Sequence, residues 1–93
     1  MRKTHKRLQA FFSGSVQGVG FRYTAERIAR KFPVTGYVKN LPNGGVEIAA
    51  EGEQKSVGEF LAQVREAFHT HIYDVKTSWS EATGEFKGFG IKF

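Results

Sequence analysis

The sequence predicts an α+β sandwich in which two helices cover one face of a mainly antiparallel sheet. Three observations predict it. The hydrophobic period alternates between two and about 3.6 along the chain, giving strand, helix, strand, strand, helix, strand and a short final strand. Each helical segment carries a single apolar stripe, so each has one surface to pack against. The strongest turn signal, Pro42-Asn43-Gly44-Gly45, joins two alternating segments and makes them a hairpin.

In Leu8 to Gly14 the residues Leu8, Ala10 and Phe12 share one face, and Gln9, Phe11 and Ser13 share the other, as in a strand. A glycine-rich stretch follows. The period then changes: Phe21, Ala25, Ile28, Ala29 and Phe32 form one helical stripe, which Pro33 ends. Gly36 to Leu41 reads as a second strand, and Val46, Ile48 and Ala50 alternate with Glu47, Ala49 and Glu51 in a third. A second helix is expected from Ser56 to Phe68, with Ser56 and Glu59 at capping-box spacing and Val57, Phe60, Leu61, Val64, Ala67 and Phe68 along its stripe. Tyr73 to Glu81 and Phe89 to Phe93 supply the last two strands. This βαββαβ order with an extra short C-terminal strand is the ferredoxin-like α/β sandwich, a plan that unrelated functions share.

The bulk composition narrows the function classes. A chain of 93 residues with 40% hydrophobic and 25% charged residues fits one soluble globular domain. There is no cysteine, which excludes disulfides, thiolate chemistry and cysteine–zinc sites. No apolar run has the length of a signal peptide or a membrane span, so the expected location is the cytoplasm, with no membrane partner. The net charge of +5 is concentrated in Arg2, Lys3, Lys6 and Arg7; the rest of the chain holds ten basic residues against nine acidic ones. Residues 1–7 therefore read as a basic extension to a nearly neutral domain over 8–93, and the charge gives no reason to expect a nucleic-acid partner.

The local chemistry concentrates in Gly14-Ser15-Val16-Gln17-Gly18-Val19-Gly20-Phe21-Arg22. This segment leaves a strand and enters a helix, whose first N–H groups lack partners and carry partial positive charge. Glycines let successive N–H groups converge on an anion. The planar guanidinium of Arg22 can grip two phosphate oxygens together. No acidic residue lies between Gly14 and Thr24. The string lacks the Gly-Lys-Ser/Thr ending of the nucleotide triphosphatase loop, so it is a different cradle working by similar physics. A turn that uses glycine for geometry alone is the plainer alternative.

The string resembles the acylphosphatase family, which carries Gly-x-Val-Gln-Gly-Val-x-Phe-Arg here; Gly14, Val16, Gln17, Gly18, Val19, Phe21 and Arg22 match it. A second family segment is matched by Gly36-Tyr37-Val38-Lys39-Asn40 and then Gly44-Gly45-Val46-Glu47. Tyr37 stands where tryptophan is usual, Lys39 where arginine is usual, and Ser15 where a basic residue is frequent. The resemblance implies metal-independent and cofactor-free hydrolysis of a small-molecule acyl phosphate to a carboxylate and phosphate by a monomer. It implies that Arg22 and the N–H groups of Gln17, Gly18, Val19, Gly20 and Phe21 hold the phosphoryl oxygens, or inorganic phosphate or another anion, and that Asn40 orients the attacking water. Asn40 precedes a turn, and closing that turn with its side chain is its alternative role.

Other candidates carry less. His69 and His71 lack a carboxylate or thiol cluster and read as a solvated helix end, giving no metal site. Glu47, Glu51 and Glu53 read as a solvated strand face. Arg27, Arg30 and Lys31 suit the helix dipole, and Trp79 suits a structural role. Lys87-Gly88-Phe89-Gly90 looks like the start of an RNA-recognition-motif segment, but Ile91 and Lys92 break that pattern, and no further helix and strand follow it.

Overall fold

Alternation along the first strand meets alternation along its neighbours, and that match sets the sheet. The computed structural model describes residues 4–93. Its elements run β1 (His5–Gly14), α1 (Phe21–Ala29), β2 (Thr35–Asn40), β3 (Val46–Glu53), α2 (Gln54–Ala67), β4 (Ile72–Glu81) and β5 (Phe89–Lys92). The strands lie in the order β4-β1-β3-β2-β5. Every pairing is antiparallel except that of β2 with β5. This is the predicted ferredoxin-like sandwich with its extra edge strand.

The register pairs Leu8 with Ala50, Ala10 with Ile48 and Phe12 with Val46, and Ile48 with Val38 on the far side. These residues form one apolar face, fully buried beneath Ala25 and Ile28 of α1 and Val57, Phe60 and Val64 of α2. Phe21 joins the two ends of the core: its ring meets Phe12 edge-on at 5.0 Å and stacks on Phe68 at 4.6 Å. Fixing Phe21 there fixes where α1 begins, and hence where the glycine-rich loop must end.

Several boundaries depart from expectation. β1 begins at His5, so Lys6 and Arg7 are strand residues rather than part of a 1–7 extension. Their charges are paired, Lys6 with Glu81 of β4 at 3.0 Å and Arg7 with Glu51 of β3 and with Glu85, which follows β4. Arg2 and Lys3 lie outside the described residues. Helix α2 starts directly after β3 at Gln54, with Glu53 as its extended N-cap and no side-chain cap, so Ser56 lies inside the first turn and forms no capping box. Helix α1 ends at Ala29, and Lys31 and Phe32 close three-residue turns onto Ile28 and Ala29. Proline at 33 disfavours helical backbone at the residue before it.

β4 and β5 lie on opposite edges, so residues 82–88 must cross the sheet. They cross the face away from the helices, where Phe86 packs on Tyr37 at 5.8 Å and beneath the guanidinium of Arg7. Glu51 ties this strap down. It is 4% exposed and accepts from the N–H of Thr83 (2.9 Å), the Thr83 hydroxyl (2.8 Å), the N–H of Gly84 (2.9 Å) and Arg7 (3.2 Å). Burial alone would raise its pKa; these donors outweigh burial and hold the carboxyl below its ordinary value. Glu51 is thus a buried anchor rather than part of a solvated face. Glu47 is also engaged, accepting from Gln9 and from the Tyr37 hydroxyl. Burial first, and then Glu47, raise the pKa of Tyr37.

Candidate functional site

The loop between β1 and α1 is held at three points and left open between them. At its start the Ser15 N–H donates to the His71 carbonyl at 2.9 Å. Val16 is fully buried and pins the loop to the core. Gln17 reaches across to the β2–β3 hairpin, where its Nε2 donates to the carbonyls of Leu41 and Gly45, both at 2.7 Å. These anchors free Gly18 and Gly20 to take left-handed conformations, with φ of 78° and 79°. A Cβ at either position would meet nothing within 4 Å, so conformation and not space requires glycine there.

Gly20 is the N-cap of α1 and contributes no side chain to cap it. The first bond across the helix end runs from the Thr24 N–H to the Gly20 carbonyl at 3.0 Å. The N–H groups of Phe21, Arg22 and Tyr23 precede it and have no intrahelical acceptor. They open on a small cleft of about 240 Å³ lined by Val16, Gly18, Gly20, Phe21, Arg22, Tyr23 and Asn40. Glycine-rich loop, helix start and the end of β2 therefore meet in one place, although Arg22 and Asn40 are 18 positions apart in sequence.

Arg22 forms no ion pair with a carboxylate among the described residues. Its guanidinium carbon lies 4.9 Å from the centre of the Phe93 ring. A ring against the guanidinium plane leaves the in-plane N–H groups free to grip an anion. Asn40, half-buried at the end of β2, makes no side-chain hydrogen bond among the described residues. The turn is closed instead by Asn43, whose Oδ1 accepts from the Gly45 N–H at 2.9 Å. The turn role left open for Asn40 thus belongs to its neighbour three residues on.

Of the six residues expected to hold phosphate, Gly18, Gly20, Phe21 and Arg22 line the cleft, while Gln17 and Val19 belong to the loop but not to that lining. The Gln17 side chain is a tether, which sequence reasoning missed because its two acceptors are backbone carbonyls on a distant hairpin. Phe93 was missed as well: it read as the end of the last strand, whereas β5 stops at Lys92 and the Phe93 ring turns to Arg22.

Elsewhere, no group of three or more His, Asp or Glu that could hold a metal occurs among the described residues. No helix among them is long and apolar enough to cross a membrane. Phe89 of the Lys87-Gly88-Phe89-Gly90 string packs against Phe60 of α2 at 5.3 Å, so it is not displayed on an open sheet face for stacking bases.

Comparison with known proteins follows the same geometry. The acylphosphatase family model matches residues 8–91. An acylphosphatase of Salinibacter ruber is 39% identical over 90 residues, covering 96% of this chain and 95% of the relative. One from Caldanaerobacter subterraneus subsp. tengcongensis is 37% identical over 93 residues, covering 98% and 99%. The crystal structure of acylphosphatase from Bacillus subtilis superposes with a TM-score of 0.84 at 30% identity, covering 95% of this chain and 99% of that one.

Proposed function

This chain belongs to the acylphosphatase family and is a hydrolase of acyl phosphates, and from that premise we propose that the cleft at the start of α1 holds the phosphoryl group while Asn40 holds the attacking water. One observation carries this reading: an arginine with no carboxylate partner, uncapped helix N–H groups and an unengaged asparagine amide line the same small cleft.

The chemistry fits those parts. Water attacks phosphorus, the bond from phosphorus to the carboxylate oxygen breaks, and its electron pair leaves on the carboxylate. A carboxylate is already a stable leaving group, so no strong general acid is needed. Negative charge on the equatorial oxygens is met by Arg22 and by the loop and helix N–H groups, which are oriented before substrate arrives. The Asn40 amide can orient water but cannot deprotonate it; the phosphate oxygens of the substrate accept the proton. Positioning of this kind supplies much of the barrier reduction in a reaction that asks for little covalent help. These roles make no use of a metal or cofactor.

The test is hydrolysis of benzoyl phosphate with excess EDTA. The wild-type protein is expected to turn over at an undiminished rate, and Asn40→Ala to lose about 10²–10³-fold in kcat with phosphate affinity retained. Full turnover by a folded Asn40→Ala protein would remove the water-holding role.

A further inference from the structure

The Gln17 tether is only as firm as the hairpin that receives it. Its amide nitrogen donates to two carbonyls, Leu41 and Gly45, each at 2.7 Å. One nitrogen reaches both only while the tip of the β2–β3 hairpin keeps those carbonyls at a fixed spacing. Both are also used inside the turn: the Leu41 carbonyl accepts from the Gly44 N–H at 3.1 Å, and the Gly45 carbonyl from the Leu41 N–H at 2.9 Å. Two features set the chain between them. The Asn43 Oδ1 accepts from the Gly45 N–H at 2.9 Å, a bond from an asparagine side chain to the backbone two residues on. Gly45 is buried, and a Cβ there would lie 2.7 Å from the Phe12 carbonyl and 3.0 Å from the Asn43 Oδ1. Residue 45 is thus held between the end of β1 and the Asn43 side chain.

Asn43 is exposed and does not line the cleft, so it does not touch a phosphate held there. Its effect on the loop passes through two hydrogen bonds. The Asn43 amide oxygen fixes the Gly45 N–H, and the Gly45 carbonyl then takes the Gln17 amide. Gln17 in turn sits between the buried Val16 and Gly18 with its φ of 78°. The direction of both amides follows from their partners: an N–H opposite Asn43 requires its oxygen, and two carbonyls opposite Gln17 require its nitrogen. We infer that Asn43 is a positioning residue for the hydrolysis: by locking the hairpin tip it sets the aim of the loop N–H groups on the phosphoryl oxygens. The inference rests on the proposed phosphate position and adds to it a residue outside the cleft.

The test is a double-mutant cycle read by inorganic-phosphate inhibition of benzoyl phosphate hydrolysis, in wild type, Asn43→Ala, Gln17→Ala and the double variant. Asn43→Ala is expected to weaken inhibition roughly threefold to tenfold, the worth of one hydrogen bond. In the Gln17→Ala background the same substitution should cost less than about twofold, because the hairpin no longer holds the loop. Asn43→Ser keeps a shorter acceptor for the same N–H and should recover part of the loss. A residue that only stabilised the fold would lower Tm and leave the inhibition constant of the folded protein unmoved. Unchanged inhibition in folded Asn43→Ala, or losses that multiply in the double variant, would overturn the role of Asn43 and leave the cleft assignment standing. A wild-type protein that hydrolyses benzoyl phosphate without inhibition by phosphate would overturn the phosphate position and the role of Asn43 with it.

Discussion

Two arginines in this molecule rest against phenylalanine rings at the same distance and do opposite things. Arg7 and Arg22 each place the guanidinium carbon 4.9 Å from a ring centre, of Phe86 and Phe93 respectively. Arg7 also holds Glu51 at 3.2 Å and Glu85 at 2.7 Å. Burial alone would lower its pKa, but the two carboxylates outweigh burial and hold the pKa above its ordinary value. Its Nε and Nη1 donors are engaged within the fold, on Gln9, Glu51 and Glu85. Arg22 has the aromatic support without a carboxylate partner among the described residues, which suits the phosphate-holding role proposed for it. A stacked arginine is thus a structural element or a binding element according to what lies in the plane of its guanidinium.

That contrast can be broken most sharply at Arg22. Arg22→Ala is expected to cost at least about 10³-fold in kcat/KM for an acyl phosphate while thermal unfolding stays close to wild type. Arg7→Ala is expected to do the reverse, with turnover per folded molecule within about threefold of wild type and a clearly lowered Tm, because it strands the buried Glu51. Equal effects on activity would mean that the two sites are not distinct.

Removing the Arg7 partner gives the next largest effect. Glu51→Gln keeps the shape but turns a donor group toward Thr83, Gly84 and Arg7; unfolding in urea should show a loss of about 2–4 kcal/mol at neutral pH. The folded-state pKa of Glu51 is lowered, so its contribution is complete above the ordinary carboxylate range and is lost as pH falls from that range through the lowered folded-state pKa. The difference between wild type and Glu51→Gln should therefore shrink in acid. A difference independent of pH would show that the charge of Glu51 is not what holds the strap.

The smallest effect is expected at the loop tether. Gln17→Ala removes two hydrogen bonds to the hairpin without touching the cleft lining. Inhibition by inorganic phosphate should weaken roughly fivefold to twentyfold as the N–H groups lose their fixed aim, with little change in Tm. Unaltered phosphate inhibition would mean that Ser15 and Val16 suffice to hold the loop.

Much of this was legible before the fold was known. The alternation of Leu8, Ala10 and Phe12 and the stripe of Phe21, Ala25 and Ile28 placed the strand, the loop and the helix in their true order. The absence of acids from Gly14 to Thr24 is the sequence feature on which the proposed anion-holding role of the loop first rests. The misreadings share one cause. Lys6 and Arg7 looked like a tail because their partners Glu81, Glu51 and Glu85 are 44 to 78 positions away. Glu51 looked solvated because the strap that covers it exists only once β4 and β5 are on opposite edges. Ser56 looked like a helix cap because its spacing is right, yet β3 runs straight into α2 before reaching it.

The sequence by itself determined the periods, the turn at Asn43-Gly44 and the glycines that let the loop adopt its shape, because those depend on neighbouring residues and their own torsions. Only the tertiary structure decided which arginine meets carboxylates among the described residues and which does not, that the Gln17 side chain ties the loop to the hairpin, and that Asn40 and Phe93 stand beside Arg22. Those outcomes depend on which charges and carbonyls are carried together when distant segments pair, and side-chain desolvation and pairing are set at that step rather than along the chain.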